Sequence, residues 1–250
     1  MTYKLSVGAL FKNESHSIKE WIKHYLYHGV EHFYLIDDGS TDNYLEEIQE
    51  YINIGIINLF VAKWDRYLGR QKDMYNMYLL PRLSETDWLL LVDLDEYLWC
   101  PSHLDLKVHL YEVNKIGQIQ FEHTIFGSNN HLEQPKEIVN SFTKRGEQPT
   151  RHPGNRKYFI KSSYEFTSIN THHATFKNIE EEKNNFIYLD EKYYILNHYN
   201  CQSKEFWKNV KCTRGDSDNY KTRSEKDFEE LDLNLTEDVR LLEQNKGIKN

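Results

Sequence analysis

The residues with the clearest chemical meaning are Asp93 and Asp95, two carboxylates with one residue between them, directly after the apolar run at 88–92 (WLLLV). An ordinary exposed surface would not place two acids at the end of a buried strand. Mg²⁺ and Mn²⁺ are bound by carboxylates together with the phosphates of a nucleotide, and the metal neutralises a departing pyrophosphate as a Lewis acid. The pair therefore predicts a site for Mn²⁺ or Mg²⁺ and for a nucleotide's phosphates.

A second pair of acids, Asp37 and Asp38, ends the apolar segment at 32–36 (HFYLI). Carboxylates at this point can accept hydrogen bonds from a ribose hydroxyl or from a base imide. The alternative is a turn in which a residue at 40–42 caps the next helix. Both interpretations stay open, because the turn itself would orient Asp37 toward a nucleotide.

Arg70, Gln71 and His198 are further candidates for the same site. Arg70 and Gln71 open a predicted helix, and a helix N-terminus with an arginine suits a pyrophosphate or a uracil edge; a surface arginine is the alternative. His198 follows a predicted strand, and an imidazole ligand would favour Mn²⁺ over Mg²⁺; a packed histidine is the alternative. Other candidates are His172 and His173 for the metal, and Lys161, Lys211 and Arg214 for phosphates.

These residues need a scaffold that places strand ends side by side. Predicted strands at 4–11, 32–38, 56–62 and 88–92 alternate with predicted helices at 15–29, 42–52 and 70–80. Continuous apolar strands separated by amphipathic helices indicate a parallel sheet covered on both faces. A ligand of such a sheet lies beyond the carboxyl ends of the strands, where the acids fall. We therefore expect an α/β fold with a mostly parallel central sheet flanked by helices.

The remainder of the chain is less regular. A strand and a turn are predicted at 116–127, short strands at 156–163 and 192–199, and a long polar loop with the character of a lid at 128–155. No linker separates two domains. We expect one domain over 1–250, with a nucleotide-binding half at 1–100, an acceptor-side half at 101–215 and a helical tail at 216–250.

Composition and charge exclude several classes of protein. The chain has 31 basic and 39 acidic residues and a formal charge of −8, which argues against a general nucleic-acid binder. The aromatic share of 14% excludes a disordered chain. Three cysteines without metal-type spacing suit a reducing compartment. Because no signal-peptide layout and no apolar stretch of about 20 residues is present, we expect a cytoplasmic protein that is at most peripheral at a membrane.

Six segments in this order resemble glycosyltransferase family 92 and its relatives in the broad family-2-like group. They are KNE at 12–14, EWIKHYLYHGVEHFYLIDDGS at 20–40, RQ at 70–71, DWLLLVDLDEYL at 87–98, FEHTIFGSN at 121–129 and NHYNCQSKEFWKNVKCTRG at 197–215. The resemblance covers about residues 5–215, and the segments at 20–40 and 197–215 are its specific parts.

The resemblance implies a GT-A fold, a UDP-sugar donor, a divalent metal, and an inverting transfer of galactose or a related hexose to a glycan, glycolipid or glycoprotein. It places Asp93 and Asp95 at the metal and phosphates and His198 at a late metal or phosphate position. Around the nucleotide it places Lys12, Asn13, Asp37, Arg70 and Gln71. Eukaryotic members usually carry a membrane anchor, which these residues do not show, so the resemblance implies a bacterial or viral setting.

An inverting transfer needs one general base that takes the proton from the acceptor hydroxyl. Glu122, just before the FG turn, and Asp216, in RGDS, are the two candidates, with no preference between them. His123 stands where relatives commonly carry an aromatic residue. The acceptor pocket is therefore the part of the site in which this chain departs from the family pattern.

Two other functions compete with glycosyl transfer. A nucleotidyltransferase acting on sugar phosphates also uses paired carboxylates, but it would carry a glycine-rich phosphate loop where this chain has KNES. A non-catalytic carbohydrate-binding protein would explain the many aromatic residues, but not the polar clusters at three strand ends.

Overall fold

The computed structural model describes residues 2–147, 156–215, 217–218 and 220–248. Its strands are β1 (Tyr3–Phe11), β2 (His32–Asp37), β3 (Ile57–Val61), β4 (Thr86–Leu91), β5 (Glu96–Trp99), β6 (Gln118–Phe121), β7 (His123–Ile125), β8 (Lys144–Arg145), β9 (Lys157–Lys161), β10 (Phe166–Ile169), β11 (Ala174–Phe176), β12 (Phe186–Tyr188), β13 (Ile195–His198) and β14 (Thr236–Glu237).

The helices are α1 (Ile18–Tyr27), α2 (Tyr44–Asn53), α3 (Arg70–Tyr78), α4 (Lys107–Glu112), α5 (Ile138–Ser141), α6 (Ile179–Asn184), α7 (Lys204–Phe206), α8 (Cys212–Arg214), α9 (Glu225–Leu231) and α10 (Arg240–Gln244). Tighter 3₁₀ turns lie at Leu80–Glu85 and Asn245–Gly247, and a π-helical turn at Trp207–Lys211 joins α7 to α8. Among the described residues, no helix combines the length and the apolar character that a membrane span requires.

The central sheet has seven strands in the order β12-β6-β9-β4-β1-β2-β3. β1 pairs in parallel with β2 and β4, β2 with β3, and β6 with β12. β9 runs antiparallel to both of its neighbours, β4 and β6. The predicted α/β fold with a mostly parallel sheet is therefore confirmed. The reversed strand matters for the site, because its first residue, Lys157, lies at the carboxyl ends of β4 and β6.

The helix α1 forms because its apolar residues recur at helical spacing. Ile18, Trp21, Ile22 and Tyr25 are fully buried against the central sheet. The chain then turns at Gly29, whose φ of +87° is unfavourable for residues with a side chain. A Cβ at that position would also stand 2.4 Å from Oδ1 of Asp105. The helix predicted at 15–29 is thus present, but it is shorter than predicted and spans Ile18–Tyr27.

A small second sheet extends the scaffold beyond the carboxyl edge of the central one. Its order is β5-β13-β7, with β13 antiparallel to β5 and parallel to β7. The register places His198 opposite Glu96 and Leu196 opposite His123. This sheet therefore gathers polar residues from three distant parts of the chain.

The segment predicted as a long loop at 128–155 is anchored wherever it is described. The α5 N-terminus is held by Glu20, whose carboxylate accepts from the backbone nitrogens of Ile138 (2.6 Å) and Val139 (2.9 Å). β8 pairs with β14 of the tail. The described residues 128–147 are thus not all loop, because they contain α5 and β8, and 148–155 lie outside the described residues. Closure of this segment over a ligand stays a prediction. The tail contains α9 and α10, with β14 between them.

Lowering the pH is expected to destabilise this fold through His24, which is fully buried in α1. Its Nε2 contacts the Leu98 carbonyl oxygen at 2.8 Å, and its Nδ1 contacts the Asn245 amide at 3.1 Å. Burial, followed by the neighbouring His28, holds the pKa of His24 well below its usual 6.5. Below pH 6.5, His24 therefore binds a proton in the unfolded chain but not in the folded chain. The free energy of unfolding should fall by up to about 1.4 kcal/mol per pH unit.

Thermal unfolding midpoints at pH 7.5 and pH 5.5 measure this effect. His24→Gln should show a smaller drop between the two pH values than the parent chain. His103→Gln, which replaces an exposed histidine, should keep the parental drop. If His24→Gln also kept it, another group would be responsible.

Candidate active site

A cavity of about 710 Å³ opens at the carboxyl edge of the central sheet. This volume is in the range of pockets that bind small molecules and cofactors. Of the nucleotide, phosphate and metal candidates named from sequence, nine line it: Lys12, Asp38, Gln71, Asp93, Asp95, His172, His198, Lys211 and Arg214. The parallel strands thus bring separate polar clusters to one place.

The acidic turn between β4 and β5 is positioned by α1. The indole nitrogen of Trp21 donates to the carbonyl oxygens of Asp93 (3.1 Å) and Glu96 (3.0 Å). The Tyr25 hydroxyl also donates to the Glu96 carbonyl, at 3.0 Å. Within the turn, the Asp93 backbone nitrogen donates to Oε2 of Glu96 at 2.8 Å. Two buried aromatic residues therefore fix the turn that carries the carboxylates.

Lys157 supplies a buried positive charge beside this turn. Its Nζ lies 2.7 Å from Oδ2 of Asp93 and 3.4 Å from Oε2 of Glu96. Burial lowers the pKa of Lys157, but the two carboxylates outweigh it and raise the pKa above its usual value. Burial also raises the pKa of Glu96 to about 7, against the opposing effect of Lys157. The three groups form one coupled cluster.

Asp95 forms a second ionic cluster with Lys211 and His198. Lys211 Nζ lies 2.8 Å from Oδ2 of Asp95, and His198 Nε2 lies 3.4 Å from Oδ1. Burial acts to raise the pKa of Asp95, but the neighbouring Lys211 and His198 hold it well below the usual range. For His198, burial acts to lower the pKa, and Asp95 raises it overall. Both carboxylate oxygens of Asp95 thus face a basic side chain.

Glu96, His123 and His198 form a group with the composition of a metal site. Each offers one ligand atom, and these atoms lie within 4.8 Å of one another. Two imidazoles and a carboxylate suit first-row divalent metals such as Mn²⁺ and Zn²⁺. His198 Nδ1 faces Glu96 Oε1 at 3.9 Å and, within the described part of the chain, is buried without a hydrogen bond. The donor set therefore fits a divalent ion.

Asp37 has the role of the turn residue. Its Oδ1 accepts from the Ser40 backbone nitrogen at 2.7 Å, and its Oδ2 accepts from the Tyr44 hydroxyl at 3.0 Å. Asp38 forms a bidentate ion pair with Arg70, one contact of which is 3.1 Å. Arg70 is only 2% exposed, so the alternative of a surface arginine is wrong. Burial of this pair orders the entrance of α3 beside the cavity.

Asn13 and Gln71 connect loops at the cavity edge. Asn13 has a positive φ of 55°, and its Oδ1 accepts from the Thr41 backbone nitrogen at 2.7 Å. The Gln71 backbone nitrogen donates to Oδ1 of Asp218 at 2.7 Å, and its side chain accepts from the Ser217 hydroxyl at 2.6 Å. Asn13, Asp37 and Arg70 support the cavity rather than line it.

Of the two candidate bases, Glu122 lies apart from these clusters. Glu122 lines a neighbouring cavity of about 230 Å³, and its Oε1 is 3.1 Å from Nη2 of Arg156. His123 lines both cavities. Asp216 lies outside the described residues. Their role in catalysis stays a prediction.

The remaining phosphate and metal candidates differ in whether they line the main cavity. His172, Lys211 and Arg214 line the main cavity. Lys161 points elsewhere and donates to the Asn114 carbonyl oxygen, and His173 is exposed. Sequence reasoning missed Lys157 and the grouping of Glu96 with His123. Each of these three residues begins a short strand, which is the one feature of the sequence that could have indicated them. The pairing of those strands was not predictable from local pattern.

Comparison with known sequences agrees with this architecture. The sequence model of glycosyltransferase family 92 matches residues 3–239. A family 92 protein of Oryza sativa subsp. japonica is 24% identical over 211 residues, which is 82% of this chain and 35% of that protein. One of Arabidopsis thaliana is 24% identical over 214 residues, 80% of this chain and 36% of that protein. The chain thus spans little more than a third of these relatives.

Among solved structures, S. aureus TarS 1-349 in complex with UDP-GlcNAc is similar, with a TM-score of 0.51 at 16% sequence identity. The similarity covers 91% of this chain and 64% of that one. It concerns the fold, and the expected GT-A architecture is confirmed. Since the family match extends over nearly all of the 250 residues, the chain belongs to glycosyltransferase family 92.

Proposed function

We propose that this chain transfers a hexose from a UDP-sugar to a hydroxyl group of a glycan or glycoconjugate, by inversion and with Mn²⁺ as the preferred divalent cation. The observation that carries the proposal is the cavity of about 710 Å³, in which a buried carboxylate–imidazole cluster adjoins basic side chains. A nucleotide diphosphate has the complementary chemistry, since it needs both a cation and hydrogen-bond donors. TarS, which shares the fold, is described in complex with UDP-GlcNAc.

The cation would be held by Asp95 and His198, two of the three ligands expected from the sequence, while Glu96 faces the other nitrogen of the same imidazole. When bound, it would stabilise the negative charge that develops on the leaving diphosphate. Imidazole ligands favour Mn²⁺ over Mg²⁺. Asp93 has a different part in this proposal, because Lys157 holds its Oδ2 at 2.7 Å and so keeps the acidic turn in shape.

Basic side chains of the same cavity would bind the diphosphate oxygens. Lys12, Lys211 and Arg214 line it, and the Arg214 guanidinium is held by the Lys12 carbonyl oxygen at 2.6 Å and by Glu14 at 2.7 Å. A fixed guanidinium is pre-organised for an oxyanion, so that little entropy is lost on binding.

The acceptor would enter from the neighbouring cavity. That cavity shares His123 with the main one, so that a hydroxyl group bound there would approach the donor. Glu122 lines it and would take the proton as the hydroxyl oxygen attacks the anomeric carbon.

Glu122→Gln tests this assignment. An amide cannot accept the proton, so kcat should fall by about 10²- to 10⁴-fold, while the affinity for UDP measured by calorimetry stays at the parental value. Glu133→Gln, an exposed acid, is the control and should behave like the parent. If Asp216→Asn shows the loss and Glu122→Gln does not, the base is Asp216.

The donor class is tested by thermal shift with UDP-galactose, UDP-glucose, UDP-GlcNAc and a GDP-sugar, each with Mn²⁺, with Mg²⁺ and with EDTA. We expect UDP-sugars to raise the unfolding midpoint, Mn²⁺ to enhance the shift and EDTA to remove it. Release of UDP on incubation would then identify the sugar that is turned over. The absence of any cation-dependent shift across the panel would overturn the proposal.

A further inference from the structure

We propose that Lys211 competes with the divalent cation for the carboxylate of Asp95. In the free protein the Lys211 ammonium group pairs with this carboxylate, and when a divalent cation binds there, the ammonium group moves to the donor diphosphate. The inference rests on the proposed function and assigns one lysine two successive partners. The observations behind it are the contact with Asp95, the contrast with Lys157, and the backbone that carries Lys211.

The contact places a positive charge where a cation would bind. Lys211 Nζ lies 2.8 Å from Oδ2 of Asp95, and His198 Nε2 lies 3.4 Å from Oδ1. Asp95 is buried, with 9% of its surface exposed. A divalent ion that binds this carboxylate would meet the ammonium group at close range, in a site where charges are weakly screened. The two cations therefore exclude each other at Asp95.

Lys157 shows what a permanent lysine looks like in the same cavity. It belongs to β9, is 2% exposed, and lies between the carboxylates of Asp93 and Glu96. Two anionic partners and a strand backbone leave it no second position. Lys211 has the one carboxylate of Asp95 and a partly exposed side chain on the cavity wall. Of the two lysines, Lys211 is the one that can move.

The backbone around Lys211 also fits a movable residue. Lys211 ends the five-residue π-helical turn Trp207–Lys211, which separates two three-residue α-helices. Such turns are frequent at functional sites. A lysine stem has four rotatable bonds, which lets its ammonium change partners without backbone motion. Arg214 follows in the next turn and faces the same cavity, so an ammonium released from Asp95 would join it at the diphosphate.

The inference has a signature that a structural role does not share. In Lys211→Met the competitor is gone, so the affinity for Mn²⁺ without nucleotide should rise about fivefold or more. The affinity for UDP at saturating Mn²⁺ should fall about tenfold, because a charge-assisted hydrogen bond to phosphate is lost. Both constants are measured by isothermal titration calorimetry. Lys208→Met removes an exposed lysine from the same turn and should change neither.

Opposite shifts of the two affinities support the inference. Unchanged affinities, or a fall in both, would overturn it, since replacing a residue that only supports the fold would weaken the binding of both ligands. Lys211→Gln keeps a hydrogen bond to Asp95 without the charge, and it should give the same two signs if the methionine variant does not fold. The Mn²⁺ titration needs no nucleotide. A parent chain that binds Mn²⁺ but not UDP would therefore count against the proposed function, while the Mn²⁺ affinities still decide whether Lys211 competes.

Discussion

Replacing Asp95 by asparagine is expected to lower the rate of glycosyl transfer by at least about 100-fold while leaving the protein folded. Loss of a residue that merely supports a metal ligand already costs about 10- to 100-fold, and Asp95 is a proposed ligand itself. Asparagine keeps the volume of the buried side chain, but it lacks the charge that attracts the cation and Lys211. Initial rates over a Mn²⁺ series and the Mn²⁺ affinity by calorimetry measure both parts of the loss.

Asp87→Asn is the matched control for this variant. Asp87 lies near the start of β4, the strand that leads into the turn with Asp95, and its partly exposed carboxylate pairs with Lys4 at 2.8 Å. Removing such an exposed pair should change stability little and leave the rate unchanged. Parental activity in Asp95→Asn, or undiminished activity of the parent in EDTA, would contradict a metal at this carboxylate.

Replacing Lys157 by methionine is expected to lower the free energy of unfolding by about 3–5 kcal/mol, the usual cost of removing one partner from a buried ionic cluster. The methionine fills a similar volume, so the loss comes from the charge. The buried Glu96 and the partly exposed Asp93 would then lack their shared cation, since Lys157 Nζ now lies 3.4 Å from the first and 2.7 Å from the second. Urea unfolding at pH 8 measures the effect.

The double variant Lys157→Met with Glu96→Gln should regain part of this loss, because one of the two unpaired charges is removed. The difference in stability between the parent chain and Lys157→Met should also narrow as the pH falls from 8 to 6, and the effect of His24 cancels in this comparison. Burial already raises the pKa of Glu96 to about 7, and loss of the lysine raises it further, so the folded state binds a proton that the unfolded state does not.

Lys161→Met, at the other end of β9, provides the comparison for this series. Lys161 is only partly buried and donates to a carbonyl oxygen rather than to a carboxylate. Its replacement should cost no more than about 0.5 kcal/mol, like other surface changes. An equal loss in both variants would mean that the strand, and not the ionic cluster, accounts for the effect.

Much of the fold follows from local pattern. The strands predicted at 4–11 and 32–38 are found at Tyr3–Phe11 and His32–Asp37, and the helix predicted at 70–80 is found at Arg70–Tyr78. Each of these elements has a continuous apolar run or a helical spacing within its own residues. The short strands of the second half have no such signal for their partners. Their order and direction depend on packing between distant segments.

The site divides in the same way. Asp38, Asp93 and Asp95 were identifiable from sequence because each stands at the end of an apolar segment, and parallel strands must bring such ends together. His198 also ends an apolar segment, but its strand, β13, belongs to the second sheet. Asp37 and Arg70 were expected beside the nucleotide, and both lie near the cavity. In the structure, however, Asp37 forms hydrogen bonds within its turn, and Arg70 forms a buried ion pair. A local pattern indicates where a side chain stands along an element, and not which charge it meets.

The sequence by itself thus determined the parallel half of the sheet and the acids at its carboxyl edge, because both depend on residues close together in the chain. Only the tertiary structure decided which partners those acids have. Lys157 and Asp93 are 64 residues apart, and they meet because β9 inserts antiparallel beside β4. Lys211 reaches Asp95 across 116 residues. Such contacts arise from the packing of the whole chain, which no local pattern contains.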